Sequence, residues 1–393
     1  MKIAYCIDTL DRLGGTEVVT LAKANALAEV KGNQVWIIVA NNNRSSMTRL
    51  YKANVLDLAV HYYENDSQGG YWHALLDYMR KRKIHCQRLE TALNDIQPDI
   101  VISTGTSMKF ALPKFKLKSN PVLIREIHFS RHYRIETASS LGEKFVAYIG
   151  ELYDYKFCIK KYDKIVVLTP ADKSGSWAKW DKVMAIPNPI THASDHFSAG
   201  TEKVAVTAGR LVSSKNYVSM IDVWKKVVAI HPDWSLHIWG TGAMQAALEQ
   251  HIKSTGMTDH VFLKGYSSTV TDEMAKASLF LSTSISEGFS LATIEAMSVG
   301  IPAVVYNCPG GIRYVVKDGV TGYLIPMNDE DAFVGKVCML IENEELRKKM
   351  GQSSLREVEQ YRIEMITQRW MTLFQELLTR KREKKYNSTF KSD

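Results

Sequence analysis

The feature that most constrains the fold is an alternation of short β-branched runs with longer amphipathic stretches along almost the whole chain. This alternation is typical of βαβ units, in which crossover helices join parallel strands. The strand-like runs of the first half are Ile3–Ile7, Val35–Ala40, Val55–Val60, Ile100–Ser103, Val122–Glu126 and Ile165–Leu168. Those of the second half are Val204–Ala208, Leu236–Trp239, Val261–Leu263, Leu279–Ser282, Ala303–Tyr306 and Tyr323–Ile325. Because each half holds about six, we predict an α/β protein with two facing, Rossmann-like, doubly wound parallel-sheet domains.

Two prolines close together mark the predicted domain boundary. The segment IPNPI, ending at residue 190, is followed by a polar run, and proline continues neither a helix nor a central strand. We therefore predict an N-terminal domain over residues 1–190 and a C-terminal domain over residues 191–360. In residues 361–393 we predict a helix over Ile363–Leu378 that returns toward the N-terminal domain, followed by a basic tail.

The distribution of charge narrows the classes of partner. The 393 residues carry a formal net charge of +8, and the whole excess lies in residues 1–190, which hold 27 Lys+Arg against 19 Asp+Glu. No aromatic and basic recognition module accompanies this charge, so no nucleic-acid partner is predicted. We expect the N-terminal half to meet an anionic acceptor or an anionic membrane surface.

The cysteines and the apolar runs indicate a compartment. The five cysteines are scattered and include no CxxC pair, which favours a reducing environment. Asp8 and Asp11 interrupt the apolar start of the chain, so we expect no signal peptide. No run approaches the ~20 apolar residues that span a bilayer. We expect a cytoplasmic protein, with any membrane contact peripheral and at the cytoplasmic face.

Two loops that follow the first strand of each predicted domain carry groups suited to phosphate. Gly14 and Gly15 precede a helix predicted over Val18–Ala28, and glycines there let backbone N–H groups approach an anion. Arg210 and Lys215 flank a polar loop in the second domain, and two cations that converge on one anion suit a diphosphate. From the residues alone, a plain tight turn and a surface loop with two ordinary cations remain alternatives.

The most informative stretch is STSISEGFSLATIEA, which joins a predicted strand to a predicted helix. Glu287 lies in its loop and Glu295 lies in its helix, and each carboxylate can accept hydrogen bonds from a pair of vicinal hydroxyls. Backbone N–H groups near Phe289, Ser290 and Leu291 can bind phosphate between them. Groups that bind a hexose, a diphosphate and a ribose would together fit a sugar nucleotide. Two unrelated surface glutamates would show the same spacing, so this alternative stays open.

This stretch resembles the signature of the family four retaining glycosyltransferases of GT-B fold. Other segments that resemble this family's landmarks are GGTE, Ile127-His128, Val166–Pro170, Ile186–Pro189, GRLVSSKN, Ile238–Gly242, Phe262–Tyr266, Pro309–Gly311 and Gly319–Pro326. The resemblance implies a nucleotide-sugar site in the C-terminal domain and an acceptor site in the N-terminal one. Two departures are Ser290, where the family often has glycine, and Trp239, where it has a small aliphatic residue.

The resemblance also implies roles for single residues. Glu295 would bind the ribose hydroxyls and Glu287 the hexose hydroxyls, while His128 would lie beside the transferred sugar. The implied catalytic residues are His128, Arg210, Lys215 and Glu287. The implied nucleotide-sugar ligands are Gly14, Gly15, Arg210, Lys215, Tyr266, Glu287, Gly288, Phe289, Ser290, Leu291 and Glu295. Acceptor-side candidates are the basic and aromatic residues Arg131, His132, Tyr133 and Arg134.

The implied activity is transfer of a hexose or N-acetylhexosamine, with retention, from a UDP-sugar to a saccharide or lipid-linked acceptor in surface polysaccharide biosynthesis. No metal or other cofactor is expected, because Asp329-Glu330-Asp331, the only DxD, reads as a helix cap. The alternative is a non-hydrolysing sugar-nucleotide epimerase of GT-B fold, in which the paired acids would act as acid and base. A dinucleotide enzyme would need a GxGxxG fingerprint and an acidic ribose partner, and both are missing.

Overall fold

The computed structural model describes residues 1–10, 14–41, 52–60, 71–104, 108–129, 135, 138, 140–175 and 177–389. The chain divides into two compact units, which we describe separately. The first comprises Met1–Pro189 with Ile363–Asp393, and the second comprises Ile190–Arg362. The division after Pro189 falls inside the IPNPI segment.

The first unit is built on a parallel sheet in which seven described strands follow the order β3-β2-β1-β4-β5-β6-β7. The strands are β1 (Lys2–Thr9), β2 (Gln34–Asn41), β3 (Asn54–Asp57), β4 (Ile100–Ser103), β5 (Val122–Glu126), β6 (Lys164–Val167) and β7 (Val183–Ala185). Six of them coincide with predicted runs. The prediction missed β7, because three residues are too few to show a strand pattern.

Helices cover both faces of this sheet, as its nearly continuous apolar strands require. They include α1 (Gly15–Glu29), α2 (Tyr71–Ile96), α3 (Leu141–Tyr153) and α4 (Pro170–Ser174). A π-helical turn, Asp154–Cys158, and a 3-10 turn, Ile159–Lys161, follow α3 directly. One hydrophobic core holds residues of α1, and the core on the other face holds Leu89 and Leu93 of α2 with Ile159.

The second unit is built on a parallel sheet with the order β10-β9-β8-β11-β12-β13 in its described residues. The strands are β8 (Val204–Ala208), β9 (Ser235–Trp239), β10 (Val261–Gly265), β11 (Leu279–Ser282), β12 (Ala303–Tyr306) and β13 (Gly322–Ile325). The helices are α5 (Tyr217–Val228), α6 (Gln245–Ser254), α7 (Val270–Met274), α8 (Leu291–Ser298), α9 (Ile312–Val315), α10 (Glu330–Glu342) and α11 (Glu344–Val358). Counted within the unit, this is the Rossmann order 3-2-1-4-5-6. The predicted fold class, two doubly wound parallel-sheet domains, is confirmed.

The last helix, α12 (Ile363–Thr389), belongs to the first unit and packs against α1. Its predicted apolar face is buried at Ile366, Trp370 and Phe374. The helix is longer than predicted and continues through residues 380–385 of the predicted basic tail, whose Arg, Lys and Glu side chains favour helix. Among the described helices, α12 included, none is both long and apolar enough to cross a membrane.

Candidate active site

The candidate site of the second unit lies where its strand order reverses. Strands β8 and β11 are paired neighbours, and the chain leaves them in opposite directions, toward β9 and toward β12. In open α/β sheets, ligands bind in the crevice beyond the carboxyl ends of two such strands. The loop after β8 carries Arg210 and Lys215, and the loop after β11 carries Glu287. The predicted cations and the predicted loop carboxylate therefore belong to this crevice.

The structure brings Lys215 and Glu287 into direct contact. Lys215 Nζ donates to Glu287 Oε1 at 2.6 Å, and the two side chains are 25% and 10% exposed. A small pocket at this point is lined by Thr207, Ala208, Lys215, Tyr217, Met220, Phe280, Ser282, Ser284, Glu287, Ser290 and Ala292. Arg210 is exposed at the start of the same loop. The pair therefore places a cation and a carboxylate side by side at the edge of the crevice.

The β8 loop is fixed by a close approach of backbone. Gly209 N donates to Trp239 O at 2.9 Å, and Leu211 N donates to Thr241 O at 3.0 Å. At Gly240, which has φ +136°, a Cβ atom would lie 1.9 Å from Gly209 O. Only glycine fits at position 240, and the two hydrogen bonds hold the backbone on both sides of Arg210.

The β11 loop is fixed in the same way by the segment Pro309–Gly311. Glu287 N donates to Pro309 O at 3.1 Å, and Gly311 N donates to Glu287 O at 3.1 Å. Gly310 has φ +108°, and a Cβ atom there would lie 1.7 Å from Glu287 O. This segment was singled out in the sequence only by resemblance. The segment and Glu287 are more than twenty residues apart in the chain, and no sequence pattern predicts that they are in contact.

The turn into α8 explains why the family often has glycine at position 290. Ser290 adopts left-handed dihedrals, φ 64° and ψ 68°, which glycine adopts without steric cost. Its Oγ lies 2.7 Å from Thr293 Oγ1. Leu291 begins the helix directly after it, so free N–H groups of the first turn adjoin the pocket.

Two other predicted ligands have contrasting surroundings. Phe289 is buried, and its ring packs edge-on against Tyr361 with centroids 5.4 Å apart. Only its backbone therefore remains to contact a ligand. Tyr266 follows β10 and is 64% exposed, so its ring is accessible beyond the carboxyl end of that strand.

Glu295 is buried in α8 and is held by two residues that the sequence analysis missed. Thr191 Oγ1 donates to Glu295 Oε1 at 2.8 Å, and His192 Nδ1 lies 2.9 Å from the same oxygen. The hydrogen bond to Glu295 raises the pKa of His192 above its usual value, against the opposing effect of burial. The sequence feature that could have pointed to Thr191 and His192 is their position directly after the IPNPI segment.

In the first unit, α1 begins earlier than predicted, at Gly15 in place of Val18. Gly14 is the N-cap and supplies no side-chain cap, and Val18 N donates to Gly14 O at 3.1 Å. In an α-helix the first N–H groups have no carbonyl acceptor within the helix. This end of α1 has the backbone geometry that binds anions.

His128 lies in a buried charged cluster of the first unit. Its Nε2 is 3.4 Å from Glu126 Oε1, and Glu126 also pairs with Lys23 of α1. Burial alone would raise the pKa of Glu126, but Lys23 and His128 lower it to about 2. The Lys23 ammonium also lies 5.1 Å from the centre of the Trp370 ring. Lys23 and Glu126 could not be recognised from the sequence, because two buried charges that lie far apart in the chain leave no local pattern.

The remaining predictions concern a metal and the acceptor. Asp329 caps α10 by accepting a hydrogen bond from Ala332 N at 3.0 Å, which confirms its reading as a helix cap. In the described ranges, no group of three or more His, Cys, Asp or Glu side chains could hold a metal ion. The acceptor-side candidates Arg131–Arg134 lie outside the described residues.

Comparison with known proteins identifies the second unit. Residues 191–356 match the model of the family described as glycosyl transferases group 1. The chain is a glycosyltransferase, and its second unit matches group 1 over almost its whole length. An uncharacterized glycosyltransferase of Haemophilus influenzae is 28% identical over 94% of this chain and 98% of its own length.

Two further likenesses come from Staphylococcus aureus. A poly(ribitol-phosphate) α-N-acetylglucosaminyltransferase is 29% identical to this glycosyltransferase over 73% of the chain, which spans 57% of that relative. The crystal structure of a TarM point mutant with fondaparinux, α-GlcNAc-glycerol and UDP superposes with a TM-score of 0.75 at 17% identity. The superposition covers 95% of this chain and 99% of the TarM chain. At 17% identity this likeness establishes the fold alone, and that fold is GT-B.

Proposed function

We propose that this glycosyltransferase moves a hexose or N-acetylhexosamine from a UDP-sugar, with retention, to a saccharide or lipid-linked acceptor in surface polysaccharide biosynthesis. The observation that carries the proposal is the Lys215–Glu287 contact at the strand-order reversal of the group 1 domain. The S. aureus relative supports the sugar class, since its name gives N-acetylglucosamine as the group that it transfers.

The cations act on the leaving group in this proposal. Departure of UDP develops negative charge on its diphosphate, and preorganised cations and N–H groups stabilise that charge. Lys215, Arg210 and the first turn of α8 supply them, and we assign to Gly14 and Gly15 the same task from the first unit. We propose that these groups make a metal unnecessary.

The carboxylates orient the two sugars. Lys215 contacts Oε1 of Glu287, so Oε2 can accept hydrogen bonds from hexose hydroxyls. Thr191 and His192 likewise contact Oε1 of Glu295, and we assign its Oε2 to the ribose. Glu287 is a binding group in this account, and the leaving phosphate takes the acceptor proton. His128, fixed beside Glu126, is assigned to the transferred sugar.

The acceptor is proposed to be anionic. All of the net positive charge lies in residues 1–190, and the S. aureus relative is named for a poly(ribitol-phosphate) acceptor. The five cysteines form no disulfide, which supports the proposed cytoplasmic location. We also propose a peripheral contact of the N-terminal half with anionic membrane.

Product analysis tests this function. The purified chain is incubated with UDP-N-acetylglucosamine or UDP-glucose, with and without a polyol-phosphate oligomer, and the products are separated by chromatography. We expect UDP release only when the acceptor is present, and no release by Glu287→Ala or Arg210→Ala at unchanged circular dichroism. The exposed variant Arg356→Ala serves as a matched control with wild-type turnover. Conversion of the donor alone would contradict the proposal and favour the epimerase.

A further inference from the structure

Helix α3 presents an apolar surface to solvent. None of its residues is buried, although most of its side chains are large and apolar. The large apolar side chains of α3 that are between 37% and 86% exposed are Leu141, Phe145, Val146, Tyr148, Ile149, Leu152 and Tyr153. Exposed apolar residues are common singly, but a continuous row of them on one helix marks an interaction surface.

The side of α3 that faces the protein is made of small and polar residues. Ala147, Gly150 and Glu151 are half-buried, and Asp154, one turn further on, is buried. Their spacing of three and four residues defines a single helical face. The apolar side chains therefore occupy the remaining circumference, which is the reverse of a helix that packs on a core. Folding alone does not explain this arrangement, since it leaves the apolar surface in water.

A buried ion cluster fixes the end of this helix. Arg125 Nη1 and Nη2 donate to Asp154 Oδ1 and Oδ2 at 2.6 and 2.7 Å, and Lys109 Nζ donates to Oδ2 at 2.9 Å. Burial alone would raise the pKa of Asp154, but Arg125 and Lys109 lower it below its usual value. The carboxylate therefore stays ionised and anchors the π-helical turn to β5. The helix that carries the exposed apolar row is therefore held to the sheet at its C-terminal end.

The charges beside the row favour an anionic partner. Lys144, Lys156, Lys160 and Lys161 are exposed on α3 and on the turns that follow it. They outnumber Glu143 and Glu151, the acidic residues of α3 itself, while Asp154 is compensated by Arg125 and Lys109. Aromatic and aliphatic side chains flanked by lysines are typical of helices that lie in a membrane interface, where lysine reaches the anionic headgroups.

We propose that α3 docks the glycosyltransferase on an anionic lipid surface, with its apolar row inserted among the headgroups and the lysines paired with lipid phosphates. This surface deepens the membrane contact proposed above. Its test needs no glycosyl transfer, so its failure can be told from failure of the proposed enzymatic function. A second copy of the chain or another protein is the competing occupant.

Vesicle cosedimentation of the full chain tests the proposal. The vesicles contain phosphatidylcholine alone or mixed with phosphatidylglycerol. The test variant is Phe145→Ser with Ile149→Ser, whose side chains are 66% and 48% exposed, so the fold does not depend on them. The matched control is Phe197→Ser with Ile230→Ser in the second unit, at 62% and 57% exposure. We expect the α3 variant to lose about tenfold or more in vesicle partitioning and the control to bind like wild type.

A charge variant tests the lipid class. Lys156→Gln with Lys161→Gln should weaken binding to the anionic vesicles, while Lys253→Gln with Lys349→Gln, on the second unit, should leave it unchanged. The proposal is overturned if wild type ignores anionic vesicles or if both double serine variants bind equally. It is also overturned if the α3 variant keeps vesicle binding but converts a dimer to a monomer in sedimentation velocity, since α3 would then be a protein interface.

Discussion

At the scale of single residues, the contact between His192 and Glu295 makes stability depend on pH. The pKa of His192 is raised by its hydrogen bond to Glu295, so protonation of the imidazole favours the folded state. This contribution is fully present below the unfolded-state pKa of about 6.5 and is lost as pH rises through the higher folded-state value. His192→Gln should therefore lower the melting temperature at acidic pH and change it little at alkaline pH.

Calorimetry across this range checks the pH prediction. His196→Gln, which removes an exposed histidine four positions away, is the matched control. A melting-temperature difference between wild type and His192→Gln that grows with rising pH would contradict the assigned contact. Should Glu295 bind the ribose as proposed, His192→Gln should also weaken UDP binding, because the carboxylate loses one of its two orienting partners.

At the scale of elements, the site depends on loops that are pinned to one another. The Cβ atom of Gly310→Ala would lie 1.7 Å from Glu287 O, and the backbone there already has φ +108°. The loop that carries Glu287 must move, so we expect a loss of several kcal/mol in the free energy of unfolding, about 3 or more, together with lost transfer. Denaturant unfolding and turnover assays measure the two effects.

Gly335→Ala is the control, and it is expected to change the free energy of unfolding in the opposite direction. Gly335 lies within α10 and is exposed, and a methyl group added there would meet no described atom within 4 Å outside the helix backbone itself. Alanine there should stabilise the protein by about 0.5–1 kcal/mol, because it lowers the conformational entropy of the unfolded chain. If Gly310→Ala were as harmless as Gly335→Ala, the Pro309–Gly311 segment could not be what holds Glu287.

At the scale of the whole molecule, the parts that could be predicted are those with a local pattern. The β-branched runs identified the strands other than β7, and the family signature identified the loops of the second unit. Contacts between distant segments could not be predicted, as with Thr191 on Glu295 or Gly310 on Glu287. The exposure of the apolar face of α3 could not be predicted either, because periodicity defines an apolar face without stating whether that face points toward the core.

The central claim is that the loops after β8 and β11 hold the diphosphate of a nucleotide sugar. Titration calorimetry with UDP tests it most directly, since UDP carries the diphosphate without the transferred sugar. We expect wild type and the exposed control Lys225→Ala to bind alike. Lys215→Ala should bind about ten- to a hundredfold more weakly, which corresponds to the loss of a hydrogen bond to a charged group. Equal UDP affinity in wild type and Lys215→Ala would contradict the account.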